Sequence, residues 1–265
     1  GVVAVAVPTE THLHELHTTM VVCMNGRGVV VLHNRGMLTS TDLRAERLRG
    51  KSARRIVHEL LRAQIVGMEL PPGTALSEAE IAKSVGVSRT PVRESLLLLA
   101  EEGLVDIYPQ RGTFVAPIQF ADVVGAQFIR EALECTSLEQ TDPLSQADLT
   151  DLRRLIDQQH TADAINDTEA FFRLDEAFHA RLLEAGKHPA VWPIVAQAKS
   201  QMDRARRLSL PAGGKMSDLI AQHSAVVDAL EQRNVGGAVQ ALRHHLRVVL
   251  ADIAQMRTEN PGLFE

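Results

Sequence analysis

The sequence predicts a mainly α-helical chain: an N-terminal winged helix-turn-helix followed by an all-α antiparallel helical bundle. Three observations carry this. Only 3% of the 265 residues are aromatic while 45% are hydrophobic, a composition that suits helices packed with Leu, Ala and Val better than a β-sandwich. Residues 77–115 run helix, glycine turn, helix and hairpin in that order. From Phe120 onward every periodic pattern is helical, with short breaks at 142–143, 164–167, 186–189, 211–214 and 234–237.

Length allows two domains. We expect a disordered extension over residues 1–49, a winged helix-turn-helix over 50–117 and a helical domain over 121–258. His12, His14 and His17 have no second ligand cluster nearby in sequence, so no metal tract is assigned to them. Two cysteines, Cys23 and Cys135, do not make a disulfide framework. No apolar run reaches the roughly 18 residues of a membrane span, and the start lacks the basic-then-apolar order of a signal peptide. The expectation is a cytoplasmic protein with no membrane partner.

Residues 52–68 place Ile56, Val57, Leu60, Leu61, Ile65 and Met68 on one helical face, with Ser52 as N-cap. Pro71-Pro72-Gly73 turns the chain. Ser77 and Glu80 form a Ser-x-x-Glu capping box, and Ile81, Ala82 and Val85 face inward. Gly86 can take positive φ and end this helix. The next helix starts near Ser88, with Pro91 in its first turn, packed by Val92, Leu96, Leu97 and Leu99. Strands follow over Leu104–Tyr108 and Thr113–Ala116, around a tip of Pro109-Gln110-Arg111-Gly112.

This arrangement puts Arg89, Thr90 and Arg93 at the N-terminal end of a recognition helix, the end that enters the major groove of DNA. Arginine can bond guanine O6 and N7 together, and threonine can touch a thymine methyl. Arg111 at the hairpin tip can reach a minor groove or a phosphate. Ser77, Ser88 and Gly112 complete the candidate DNA-binding set. Charge argues for placed arginines and against a basic sheath. Residues 38–117 carry 11 Lys/Arg and 10 Asp/Glu, a net of +1, while residues 118–265 carry 15 and 21, a net of −6. Such a head is expected to work in pairs, as a homodimer on a pseudo-palindromic operator.

In the second half, helices are expected over 121–140, 145–163, 167–186, 188–209, 216–233 and 235–258. Asp175 and His179 stand four residues apart on a face shared with Phe172, Leu182 and Leu183. His223 shares a face with Val226, Val227 and Leu230, and His245 with Ala241, Leu242, Val248 and Val249. A lone histidine on such a face is usually a hydrogen-bonded core group. Three helices each turning a ligand inward suit a divalent ion: zinc, nickel or manganese. An enzyme could use these ligands to activate water, but no general base like the Glu of His-Glu-x-x-His accompanies them.

Leu76-Ser77-Glu78, Gly86-Val87-Ser88-Arg89-Thr90-Pro91-Val92-Arg93-Glu94, Glu102-Gly103-Leu104-Val105 and Pro109-Gln110-Arg111-Gly112 resemble the DNA-binding domain of GntR-family transcriptional regulators. Ala79 departs from members that place a base-contacting arginine there. Arg130-Glu131-Ala132-Leu133-Glu134, the 175–179 segment, Gln222-His223 and Ala241 to Leu246 resemble the FCD effector domain of the FadR subgroup, and the count of six helices resembles its VanR-type branch. The family usually has Glu where this chain has Gln222. The resemblance implies a divalent metal held by Asp175, His179, His223 and His245, with His245 preferred to the adjacent His244, and a small organic acid bound by Arg130. It also implies a repressor released from its operator by that acid, and no enzyme. The alternatives are a DNA-binding dimer whose helical domain is only structural, and a metal-dependent hydrolase.

Overall fold

The computed structural model describes residues 51–210 and 214–265. The extension expected over 1–49 lies outside the described residues, apart from which the predicted class holds. Helices α1 (Ala53–Val66), α2 (Glu78–Val85) and α3 (Arg89–Glu101) precede a three-stranded antiparallel sheet of β1 (Ala75–Leu76), β2 (Val105–Tyr108) and β3 (Gly112–Val115), in the order β1-β3-β2. Then come α4 (Phe120–Glu139), α5 (Gln146–Ala164), α6 (Thr168–Ala185), α7 (Trp192–Ala198), α8 (Ser200–Ser209), α9 (Lys215–Glu231) and α10 (Val235–Glu259).

Local chemistry explains most boundaries. Ser52 caps α1 through the Arg55 amide. The helix stops at Val66, two residues short of the expected Met68, which takes φ 60°. Of the capping box expected at α2, the Ser77 half forms, its hydroxyl accepting from the Glu80 amide. The full reciprocal box occurs at Ser145 and Asp148, at the start of α5. Gly86 adopts φ 69° and ψ 38°, the left-handed conformation that favours glycine, and so bends α2 into α3.

Three packing differences from expectation follow from tertiary contact. Leu97 is 49% exposed and does not pack α3, since Val92, Leu96 and Leu99 already fill its buried stripe. Strand β1 is too short to show a period. It forms because the Pro71-Pro72-Gly73 turn lays it on β3, where Gly73 N–H reaches Val115 O at 2.8 Å. The helix expected over 188–209 is a 3-10 turn (Pro189–Val191) plus α7 and α8. The chain breaks at Lys199, whose backbone (φ −93°, ψ 10°) re-aims α8 and allows its ammonium to be buried.

Three apolar clusters result. The head core joins Ile56, Leu61 and Ile65 of α1 to Ile81, Leu96, Leu99 and Val115. The bundle core joins Leu152, Phe171, Phe178, Ile220, Val227 and Leu242. A third cluster holds the connection between them: Ile118, Val123 and Ala126 against Met202, Ala205, Ile253 and Phe264. Residues after α10 return to this connection, where Ile118 N–H donates to Leu263 O and Glu265 N–H to Ile118 O. No helix among the described residues is long and apolar enough to cross a membrane. Phe171 is fully buried in the bundle core. Its replacement by alanine is expected to cost about 3–5 kcal/mol in urea unfolding.

Candidate nucleic-acid interface and metal centre

Helix α3, the expected recognition helix, begins at Arg89. Ser88 lies at the N-cap of α3 without a side-chain cap bond. Ser88, Arg89, Thr90 and Arg93 are exposed, Ser77 is half-buried, and Arg111 and Gly112 are exposed at the hairpin tip. Arg111 lies over the Tyr108 ring, 5.3 Å from its centroid. Gln110 (φ 62°) and Gly112 (φ 113°) shape the turn. Arg89 and Arg93 make no ion pair among the described residues, so their guanidiniums are available to an outside anion.

The four anticipated ligands meet inside the bundle. Asp175 and His179 of α6 and His223 of α9 are fully buried, and His245 of α10 is 4% exposed. His244, the sequence neighbour, is exposed. One ligand atom from each of the four lies within 4.8 Å of all the others. His179 Nε2 stands 3.1 Å from His245 Nε2, which stands 3.2 Å from His223 Nε2. Asp175 Oδ1 is 3.6 Å from His223 Nε2.

Hydrogen bonds fix which nitrogen faces the centre. Glu134 Oε2 accepts from His179 Nδ1 at 2.7 Å, so the proton sits on Nδ1. Gln159 gives its NH2 to Leu174 O and turns Oε1 to His223 Nδ1 at 2.8 Å. Gln222 Oε1 faces His245 Nδ1 at 2.9 Å. With each Nδ1 turned outward to an acceptor, the three Nε2 atoms face one another at the centre. Burial, only partly opposed by Asp175, lowers His223 to about 3 and holds His245 well below the usual imidazole range, so both are neutral. Asp175 Oδ1 has no hydrogen-bond partner. Burial alone would raise the Asp175 carboxyl, but the Arg206 guanidinium outweighs it and keeps it well below its ordinary value.

Three ring nitrogens and an orphaned carboxylate oxygen gathered at one buried point are a donor set that a shared cation would satisfy. The donor set fits one. Two nitrogens each about 2.1 Å from a shared zinc-like ion stand roughly 3–3.4 Å apart, as these do. Three imidazoles and one carboxylate suit a borderline divalent metal.

Arg130, the expected effector contact, is buried beside this centre. Its Nε donates to Glu134 Oε1 at 2.8 Å, and its Nη2 has no hydrogen-bond partner. Burial raises Glu134, but Arg130 and His179 pull it down to about 2. Arg206 Nη1 donates to Asp175 Oδ2 at 2.7 Å. Glu134, Gln159, Gln222 and Arg206 hydrogen-bond the candidate ligands, contacts that sequence reasoning did not assign. For Glu134 the available signal was its position one turn after Arg130 on the same helix.

Residues 53–115 match the family described as bacterial regulatory proteins, gntR family, and residues 127–248 match the FCD domain. An HTH-type transcriptional regulator in an unstable DNA locus of Streptomyces ambofaciens is 46% identical over 216 residues, covering 81% of this chain and 91% of that protein. The HTH-type transcriptional repressor RspR of Escherichia coli (strain K12) is 33% identical over 209 residues, covering 78% and 92%. Among solved structures, E. coli McbR/YncC superposes with a TM-score of 0.65 at 22% identity, covering 78% of this chain and 99% of that one.

Proposed function

This chain belongs to the GntR family of DNA-binding transcriptional regulators and carries an FCD domain, and from that premise we propose that it is a metal-containing repressor released from its operator by a small carboxylate. In this reading residues 50–117 read DNA and residues 121–258 sense the ligand, as in the FadR subgroup and its VanR-type branch. Ser77, Ser88, Arg89, Thr90, Arg93, Arg111 and Gly112 contact a pseudo-palindromic operator from two copies of the chain. Asp175, His179, His223 and His245 hold a divalent ion, zinc first among zinc, nickel and manganese.

The observation that supports the reading is the convergence of three buried Nε2 atoms beside an unpartnered Asp175 oxygen. A bound divalent ion supplies positive charge to which an anionic ligand can attach. The protein supplies the rest. Glu134, Gln159 and Gln222 hold the rings in one tautomer. Arg130 offers its free Nη2 to a carboxylate. Burial excludes competing water and strengthens each charge contact. The ligand changes DNA affinity only through unequal affinity for the two arrangements of the head.

The reading is tested by metal analysis of the purified protein and a thermal-shift screen of small organic acids. The hits are then added to a mobility-shift assay on the intergenic DNA beside the gene. Expected are one divalent ion per chain, a stabilising acid, and weaker DNA binding in its presence. Replacing Arg130 with Gln should abolish the acid's shift while metal content stays. Metal-free protein with a melting point indifferent to chelator would leave the helical domain as a structural module only. An acid that strengthens DNA binding would reverse the sign of regulation.

A further inference from the structure

Helix α8 is anomalous. Its residues Ser200–Arg206 are all buried, although Ser200, Gln201, Asp203, Arg204 and Arg206 are polar or charged. Submerging so many polar groups is unfavourable unless each is held, and their partners lie in two different places. On the bundle side, Arg206 bonds Asp175 Oδ2, and Lys199, just before the helix, bonds Asp203 at 2.6 Å and Glu176, the residue after Asp175, at 2.6 Å. On the head side, Gln201 Nε2 donates to Gly103 O at 2.9 Å and Arg204 Nη2 to Ala116 O at 2.6 Å. Arg62 of α1 donates to the Ser200 hydroxyl.

Arg204 and Arg206 are two residues apart, so they leave the helix on roughly opposite sides, about 200° around its axis. Gly103 follows the recognition helix α3, and Ala116 opens the connection to the bundle. The far side of that connection is tied to residues 263–265. Between the two sides, Met202 and Ala205 pack on Ile118 and Phe264 in the third apolar cluster. A close-packed helix passes a displacement on one face to the other, since there is little void to absorb it.

We propose that α8 is the transmission element of this regulator: Arg206 registers the state of Asp175, and Arg204 with Gln201 sets the pose of the DNA-reading head. The proposal rests on the reading of Asp175 and the three histidines as a metal site. Asp175 bonds Arg206 through Oδ2; were its carboxylate also to serve a bound divalent ion, its hold on Arg206 would weaken and α8 could shift. The carbonyls of Gly103 and Ala116 then move with the helix.

Hydrogen–deuterium exchange on the full chain, metal-free against zinc-saturated, tests this without knowing the operator or the acid. Zinc content is measured on the same samples. Expected are slower exchange around Asp175, His223 and His245, and a change of at least threefold in peptides covering residues 103–104 and 116–119. Arg204→Gln should take up the same zinc and keep the change around the centre, but lose it at 103–119. Gln201→Ala, a milder change, should reduce it in the same peptides. If zinc binds and the change in the unaltered protein stays confined to the centre, or if Arg204→Gln keeps the distal change, the proposal is overturned. If no zinc is taken up, the metal reading itself fails and takes the proposal with it.

Discussion

Replacing His223 with alanine is expected to abolish the metal-dependent part of this protein's stability. A ligand at about a thousand times its Kd that binds only the folded state stabilises it by about 4 kcal/mol. Wild-type protein should therefore lose a stability increment of that order on chelation and regain it with zinc. The variant should show no increment. Its metal-free stability will also fall, because Gln159 Oε1 loses its buried donor and a space opens beside Phe178, whose ring stacks 4.2 Å from that of His223. An unsatisfied buried acceptor costs about 1–3 kcal/mol by itself. The informative quantity is thus the difference between metal-loaded and metal-free melting in each protein, not the absolute melting point. A wild-type difference of zero would sink the metal assignment.

The clustering of the four candidate ligands was legible because helical period decides which face a residue occupies. Asp175 and His179 fall one turn apart on an apolar face, and a histidine there must find a polar partner. What the period does not encode is which face meets which. Nothing in the spacing of α4 says that Glu134 reaches His179, or that Gln159 of α5 reaches His223. The break at Lys199 is invisible for the same reason, as apolar residues recur on both sides of it and only burial of the ammonium among Glu176, Asp203 and the rings of Phe172 and Trp192 explains the turn. Strand β1 has two residues and therefore no pattern. The head was more legible because its signals are local. Gly86 must supply a left-handed residue, Pro91 needs a first helical turn, and Arg89, Thr90 and Arg93 are exposed because Val92 and Leu96 define the other side of α3. Leu97 shows the limit of such reasoning. A run of four leucines cannot all face a core on one helix, and the one that points out is 49% exposed.

Alanine at Arg89 or Arg93 is expected to cut operator affinity by about 1–3 kcal/mol each, roughly 5- to 150-fold, where the side chain reads a guanine. The fold should be indifferent. Both residues are exposed and make no ion pair among the described residues, so melting should shift by no more than about 0.5 kcal/mol. Salt separates the two kinds of contact. An arginine on phosphate alone contributes about 0.9 to the slope of log affinity against log salt, and its loss weakens all sequences alike. An arginine on a base leaves affinity for non-specific DNA nearly unchanged and relaxes discrimination at one position. Arg111 at the hairpin tip is expected to behave as the first kind, and Arg89 and Arg93 as the second. Arg153→Ala is the control, since that residue is tied to Glu231 and Asp228 on the bundle surface and should leave DNA affinity unchanged. The head carries a net charge of only +1 over residues 38–117, so general electrostatic attraction is weak and cannot mask the loss of a specific contact. If Arg89→Ala and Arg93→Ala both bind the operator like wild type at matched salt, α3 is not the reading helix.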